Sequence, residues 1–292
     1  MGNFLNLSLD EQWSCINPHI KSEIDFKEHS NLITKRTYKA CIKKILGYRQ
    51  TKRTEENVKI MYNDKWVSRD SKSEIVEGGY VSVKWNSNEF VLGGLGMRKL
   101  QTLRIMKLIE KTKPKSVLDV GCGNGERVLQ LACRFPKIQF TGLELTSGGI
   151  QTAENIQNLD QLPDPLINIS PQPLLDLTAH KSANFVCSSA KKIPFDDKSF
   201  DLVYTSLSLE QMETIRQEAL KEIFRVTIKY SSFYEAFKDY NNKLPQLAYI
   251  FYKNYFKGSL KELSNLGYKI IDVIDEIPQK TYMNAVFVIV QK

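Results

Sequence analysis

An apolar run, Val117-Leu-Asp-Val120, leads into Gly121, Gly123 and Gly125 at alternate positions, and a helical pattern opens at Glu126. Glycines at this spacing let the backbone pass close to a ligand lying across strand ends, because no Cβ intrudes and a positive φ is tolerated. A nicotinamide dinucleotide wants G-x-G-x-x-G, and the third position of that spacing is Glu126 here. A pyrophosphate would also sit beside the anionic Asp119 and Glu126, whereas Asp119 suits a ligand with a cationic amino group. Glu144 closes the next apolar run, Phe140-Thr-Gly-Leu-Glu-Leu145, 21 residues beyond Gly123. An acidic side chain there can accept both hydroxyls of a ribose, a geometry shared by dinucleotide and other adenosyl sites.

These residues need strands and helices to hold them. Short apolar runs at 116–120, 138–143, 183–187, 200–205, 230–234, 270–273 and 285–290 read as strands, with helical patterns at 97–110, 126–134, 147–159, 213–226 and 260–266. Such alternation requires an α/β fold with a mostly parallel sheet covered on both faces. Residues 162–177, rich in Pro and Leu, interrupt it and read as an insertion or lid. Upstream, 32–46 reads as a helix whose apolar face is Tyr38, Cys41, Ile42, Ile45 and Leu46, followed by extended or irregular segments over 78–96.

The charge is unevenly spread. The 292 residues hold 41 Lys and Arg against 33 Asp and Glu, a net of +8. Residues 1–116 carry 22 basic and 13 acidic side chains, a net of +9, so the remainder is close to neutral at −1. The densest stretch is 35–59, a solvated outer helix face in the plain reading and a polyanion-binding face in the sharper one. With 42% hydrophobic and 25% charged residues, disorder, collagen and coiled coils are excluded. No run of apolar residues is long enough to span a membrane, and Met1–Asp10 lacks the pattern of a signal peptide. Five cysteines without a C-x-x-C, and three histidines without ligand spacing, predict free thiols, a cytoplasmic location and no metal.

The loop, Glu144 and a downstream segment, Lys192-Ile-Pro-Phe-Asp-Asp-Lys-Ser-Phe-Asp-Leu-Val203, occur in order at suitable spacing. In this the chain resembles the class I S-adenosylmethionine-dependent methyltransferases, in particular their small-molecule subgroup, from about residue 97 to 226. The resemblance implies a Rossmann-like, seven-stranded mostly parallel sheet over 97–292. Residues 1–96 lie outside the resemblance, and their helical and basic pattern predicts a basic, mainly helical cap that supplies specificity. The resemblance itself implies S-adenosyl-L-methionine as cofactor and S-adenosyl-L-homocysteine as product. Asp119 would hold the amino group; Gly121 and Gly123 would receive the methionine moiety; Glu144 would bind the ribose and Leu145 the adenine. Ser189 stands where the family usually has an Asp for the adenine amine, with Ala190 offering its backbone. Cys122, Asn124, Ser206 and Leu207 complete the expected cofactor set. Gln211 departs from the family's usual histidine.

A sulfonium methyl is already activated, so alignment for in-line displacement is the enzyme's main contribution, worth about 7–11 kcal/mol. A base matters when the acceptor is a neutral hydroxyl, and Glu210 and Glu235 are the candidates. Tyr80, Trp85, Arg98, Gln211 and Tyr255 are candidate acceptor contacts, although packing is the plainer role for the aromatic ones. Cys122 reads as a small loop residue rather than a nucleophile. The expected acceptor is an O or N atom of a small or sugar-like, anionic or neutral molecule. An RNA or protein acceptor held by the basic helix is the alternative, and a non-catalytic cofactor-binding scaffold is the second.

Overall fold

Val117, Leu118 and Val120 are all buried, as a strand covered on both faces of a parallel sheet must be. The computed structural model describes residues 4–48, 53–67 and 79–292. Its first part comprises α1 (Leu9–Ile16), α2 (Phe26–Ile45), α3 (Glu55–Val67), β1 (Tyr80–Trp85), β2 (Asn88–Gly93) and α4 (Gly94–Thr112). The alternating part follows with β3 (Ser116–Val120), α5 (Glu126–Arg134), β4 (Gln139–Glu144), α6 (Ser147–Gln157), α7 (Asp164–Asn168), β5 (Asn184–Cys187) and β6 (Phe200–Ser206). It ends with α8 (Arg216–Val226), β7 (Thr227–Glu235), α9 (Leu244–Lys253), α10 (Leu260–Asn265), β8 (Lys269–Ile274), β9 (Gln279–Lys280) and β10 (Val286–Gln291).

Seven strands form one sheet in the order β5-β4-β3-β6-β7-β10-β8. The pairs β4–β5, β3–β4, β3–β6 and β6–β7 are parallel, and β10 runs antiparallel to both its neighbours. All seven expected strands are present, and β7 starts earlier than its apolar run, at Thr227. One face of the sheet packs on α1, α4 and α5 through Ile16, Leu103, Met106 and Leu129. The other packs on α8 through Leu220 and Ile223 against Phe233 and Val288. The strand order reverses beside β3, so the crevice at its carboxyl end, where the glycines lie, is the place such sheets bind ligands.

The N-terminal part is woven into the rest. β1 and β2 form a hairpin whose turn residues, Asn86 and Ser87, both have positive φ, and β9 extends it to a three-stranded sheet. The helix expected at 32–46 starts at Phe26, capped by Asp25, whose carboxylate accepts from Glu28 N at 2.7 Å. Its expected core face is corrected: of Tyr38, Cys41, Ile42, Ile45 and Leu46 only Cys41 is buried. The surface available to α2 there is narrow, a seam with α9 in which Cys41 Sγ lies 3.1 Å from Ala248 O. The 162–177 insertion is tied to α5, where Leu175 N and Asp176 N donate to Cys133 O and Gln130 Nε2 to Leu166 O, and its Ile169 lines the cavity described below. Of the basic stretch, Arg49 and Lys52 lie outside the described residues, as does Gly78.

Candidate active site

Each loop glycine is held where a side chain has no room. Gly121, Gly123 and Gly125 have φ of 85°, 61° and 73°. A Cβ would come within 2.5 Å of Ser208 Cβ at Gly121, 2.8 Å of the Trp66 ring at Gly123, and 2.6 Å of Ala153 Cβ at Gly125. The turn is fastened to the neighbouring strand, because Gly121 N and Cys122 N both donate to Leu143 O. Glu144 braces it from below: Oε2 accepts from Gly123 N at 3.0 Å, and Oε1 from Thr146 N and Oγ1 at 3.0 and 2.8 Å. A carboxylate has about four acceptor positions, so about one remains open on a residue that also borders the cavity.

These groups border a cavity of about 580 Å³. Gly121, Cys122, Gly123, Asn124, Glu144, Leu145, Ala190, Ser206 and Leu207 line it, as do Tyr80, Arg98 and Gln211. Asp119 lies behind this wall, buried at the end of β3. Burial pushes its carboxyl up to about 6, with the Arg127 charge and the Tyr204 hydroxyl pulling part of the way back. Burial also raises the Cys122 thiol well above its usual range, with Asp119 and Glu144 adding to the rise, so it is no thiolate nucleophile.

Several expected residues are off the wall. Ser189 points to the cap, its hydroxyl donating to the Glu55 carboxylate. Trp85 is buried and stacked on Trp13 with ring centroids 5.3 Å apart, a packing position away from the cavity. Tyr255 lies under the Arg53 guanidinium at 4.4 Å. Glu235 is buried, and its Oε1 accepts from Ser208 N and Leu209 N, both at 3.1 Å. Glu210 is next to the cavity resident Gln211, whose Nε2 donates to Oε1 at 3.0 Å, while Glu210 Oε2 is buried without a partner. Burial raises the Glu210 carboxyl, with Lys280, Gln211, Arg53 and Lys253 opposing.

α3 also belongs to the site, although no motif marks it. Its Glu55, Val58, Tyr62 and Trp66 line the cavity, and Asn63 Oδ1 accepts from Gly148 N at 2.8 Å. Nothing in the spacing of 55–66 ties it to a loop so far along the chain. Tyr62, Tyr249, Tyr255 and Tyr282 surround Glu210 closely enough that its charge adds to burial in raising all four phenols, Tyr62 to about 12. His29 Nδ1 meets Ser82 Oγ and His180 meets two backbone carbonyls. Among the described residues no cluster of His, Cys, Asp and Glu could hold a metal.

Residues 118–234 match the family described as a methyltransferase domain. In this stretch the chain is similar in sequence to methyltransferases of the UbiE type. It is 27% identical over 146 residues to the ubiquinone/menaquinone biosynthesis C-methyltransferase UbiE of Azotobacter vinelandii, covering 50% of this chain and 51% of that one. It is 28% identical over 125 residues to the O-methyltransferase rstn1 of Aspergillus nomiae, covering 43% and 47%. The chain thus spans about half the length of the curated relatives it matches. Among solved structures it is similar to the [4+2]-cyclase SpnF, with TM-score 0.55 at 18% identity over 82% of this chain and 96% of that one. A geranyl diphosphate methyltransferase follows with TM-score 0.53 at 10% identity over 81% and 98%. Both likenesses concern the fold, which by itself does not decide the chemistry.

Proposed function

We propose that this chain transfers the methyl group of S-adenosylmethionine to an O or N atom of a small-molecule acceptor. The observation that carries the reading is the cradle: three glycines that no side chain could replace, next to a carboxylate that borders the cavity and keeps about one acceptor position open. The residues fit that cofactor. Glu144 takes a ribose hydroxyl, Leu145 and Ala190 flank the adenine, the backbone of Gly121 and Gly123 receives the methionine moiety, and Asp119 attracts its amino group. When bound, the cofactor supplies an activated methyl on a sulfonium.

The chain's own residues then align the acceptor and exclude water. Tyr62 and Trp66 cover the cavity from the cap, so residues 1–96 act as a lid and specificity region on the cofactor domain 97–292. At the acceptor end, Gln211, Met212, Lys280 and Tyr282 line the wall, and Glu210, hydrogen-bonded to Gln211 behind it with its carboxyl raised by burial, is the candidate base. Five unpaired cysteines, one of them exposed, suit a reducing cytoplasm.

Calorimetry with S-adenosylhomocysteine tests the site. Asp119→Ala and Glu144→Ala should each weaken binding at least about tenfold, the first by removing a buried charge behind the wall and the second by removing a hydrogen bond from a charged group. Unchanged affinity in both would refute this placement, and failure of the wild type to bind would refute the function. A pH series adds a second check. The ionised form of Asp119 is the one that attracts an ammonium, and its carboxyl stands at about 6. Affinity should therefore fall about tenfold per pH unit below that value. In Asp119→Asn the slope should vanish; a wild-type profile flat from pH 5 to about 7 would remove Asp119 from the site.

A further inference from the structure

Ile45 and Leu46 at the end of α2 are 73% and 69% exposed, and Leu244 at the start of α9 is 76% exposed. They are not isolated. Tyr38 and Ile42 continue the stripe on α2, Leu247 and Phe251 continue it on α9, and all are exposed. Both stripes flank the seam where the helices meet, held by Cys41 Sγ on Ala248 O and Lys44 Nζ on Phe251 O and Asn254 Oδ1. Singly exposed apolar side chains are ordinary, but a group gathered along one seam marks a contact surface.

The charge around the seam selects the partner. Residues 29–48 hold five Lys and Arg and residues 240–258 hold three Lys, with no Asp or Glu in either segment. Lys35, Arg36, Lys39, Lys43 and Lys243 are exposed. A second copy of this face would bring like charges together without compensation. Single-stranded or duplex RNA would use the lysines and leave the aliphatic side chains in water. An anionic bilayer takes both: Ile, Leu and Phe enter the headgroup–acyl boundary, and each Lys or Arg is attracted to the anionic surface.

We propose that the α2–α9 seam is a docking face for an anionic lipid bilayer. The helices lie on the surface and do not cross it; among the described residues no helix is long and apolar enough to span a membrane. Docking does not rest on the methyl-transfer reading, yet α9 links the two. Tyr249 packs on Tyr282 with ring centroids 4.5 Å apart, and Tyr282 lines the cavity. The helix that carries one of the two stripes thus also packs on the acceptor end of the cavity through its other face.

Sedimentation of the full chain with vesicles tests this. Binding should be strong to phosphatidylcholine mixed with phosphatidylglycerol, weak to phosphatidylcholine alone, and reduced by salt. Ile45→Asp with Leu244→Asp, and separately Lys39→Glu with Lys43→Glu, should each cut partitioning about tenfold or more. Because these positions are exposed, melting temperature and S-adenosylhomocysteine affinity should stay at wild-type values. Three results would overturn the proposal: vesicle binding unchanged in both variants, salt-dependent retention on RNA with none on anionic vesicles, or a dimer in light scattering that Ile45→Asp dissolves.

Discussion

Gly121→Ala should melt earlier than the wild type and lose measurable affinity for S-adenosylhomocysteine. Two causes act together. At φ +85° an alanine is strained, at about 1–2 kcal/mol. Its Cβ would also stand 2.5 Å from Ser208 Cβ and 3.0 Å from Ser208 Oγ. Ser208 has no easy way to yield, since Oγ donates to Val120 O at 2.7 Å and its backbone N–H to Glu235 at 3.1 Å. Overpacking of this kind costs about 1–3 kcal/mol more. Relief must come from the loop, which then carries Gly123 away from Glu144 and spoils the cradle. Urea unfolding should give a combined loss of about 2–5 kcal/mol. Gly267→Ala is the control: it too has a positive φ, +103°, but its Cβ would meet only the Phe224 ring, at 3.3 Å and far from the cavity wall. That variant should lose stability and keep its affinity. Full affinity in Gly121→Ala would mean that the glycine turn does not hold the cofactor.

The contrast between Gly121 and Ile45 explains what the sequence could reveal. The central strands were legible because burial on both faces writes a continuous apolar run, and the glycines because a backbone conformation excludes every other residue type. Periodicity on α2 likewise marks a stripe. It could not say what the stripe faces, since an apolar row looks the same whether a protein core or a lipid surface covers it. Glu55, Tyr62 and Trp66 reach the cavity only because the chain folds α3 back over a turn more than 50 residues away. No local pattern encodes that. Trp85 and Glu235 show the opposite case: suggestive residue types near strand ends, whose direction is decided by partners elsewhere, Trp13 and the 208–209 turn.

Glu235→Gln should make the protein more stable in alkali and leave methyl transfer largely intact. Glu235 Oε1 receives two backbone N–H groups, while Oε2 and the neighbouring Thr205 Oγ1 are buried without partners. Burial, with the Glu210 charge adding to it, pushes the carboxyl up to about 8 from the ordinary 4.5, against the pull of the Leu209 and Ser208 N–H groups. The folded state therefore keeps a proton that the unfolded chain releases between those values. Stability falls as pH rises through that window and is lowest above it, by roughly 4–5 kcal/mol in all. Glutamine keeps the acceptor oxygen for Ser208 and Leu209 and places an amide donor toward Thr205, with nothing to titrate. Unfolding free energies of the two proteins should thus converge near pH 5 and separate by several kcal/mol at pH 9. The difference removes the slope that Asp119 gives to both below about 6. Glu235→Ala, which strands two backbone N–H groups, should lose about 1–3 kcal/mol for each at any pH. If Glu235→Gln instead abolished turnover while its stability profile kept the wild-type slope, the carboxylate would be the reaction's base. With Oε1 committed to the 208–209 backbone and the side chain off the cavity wall, its geometry is that of a residue that positions Ser208 beneath the glycine turn.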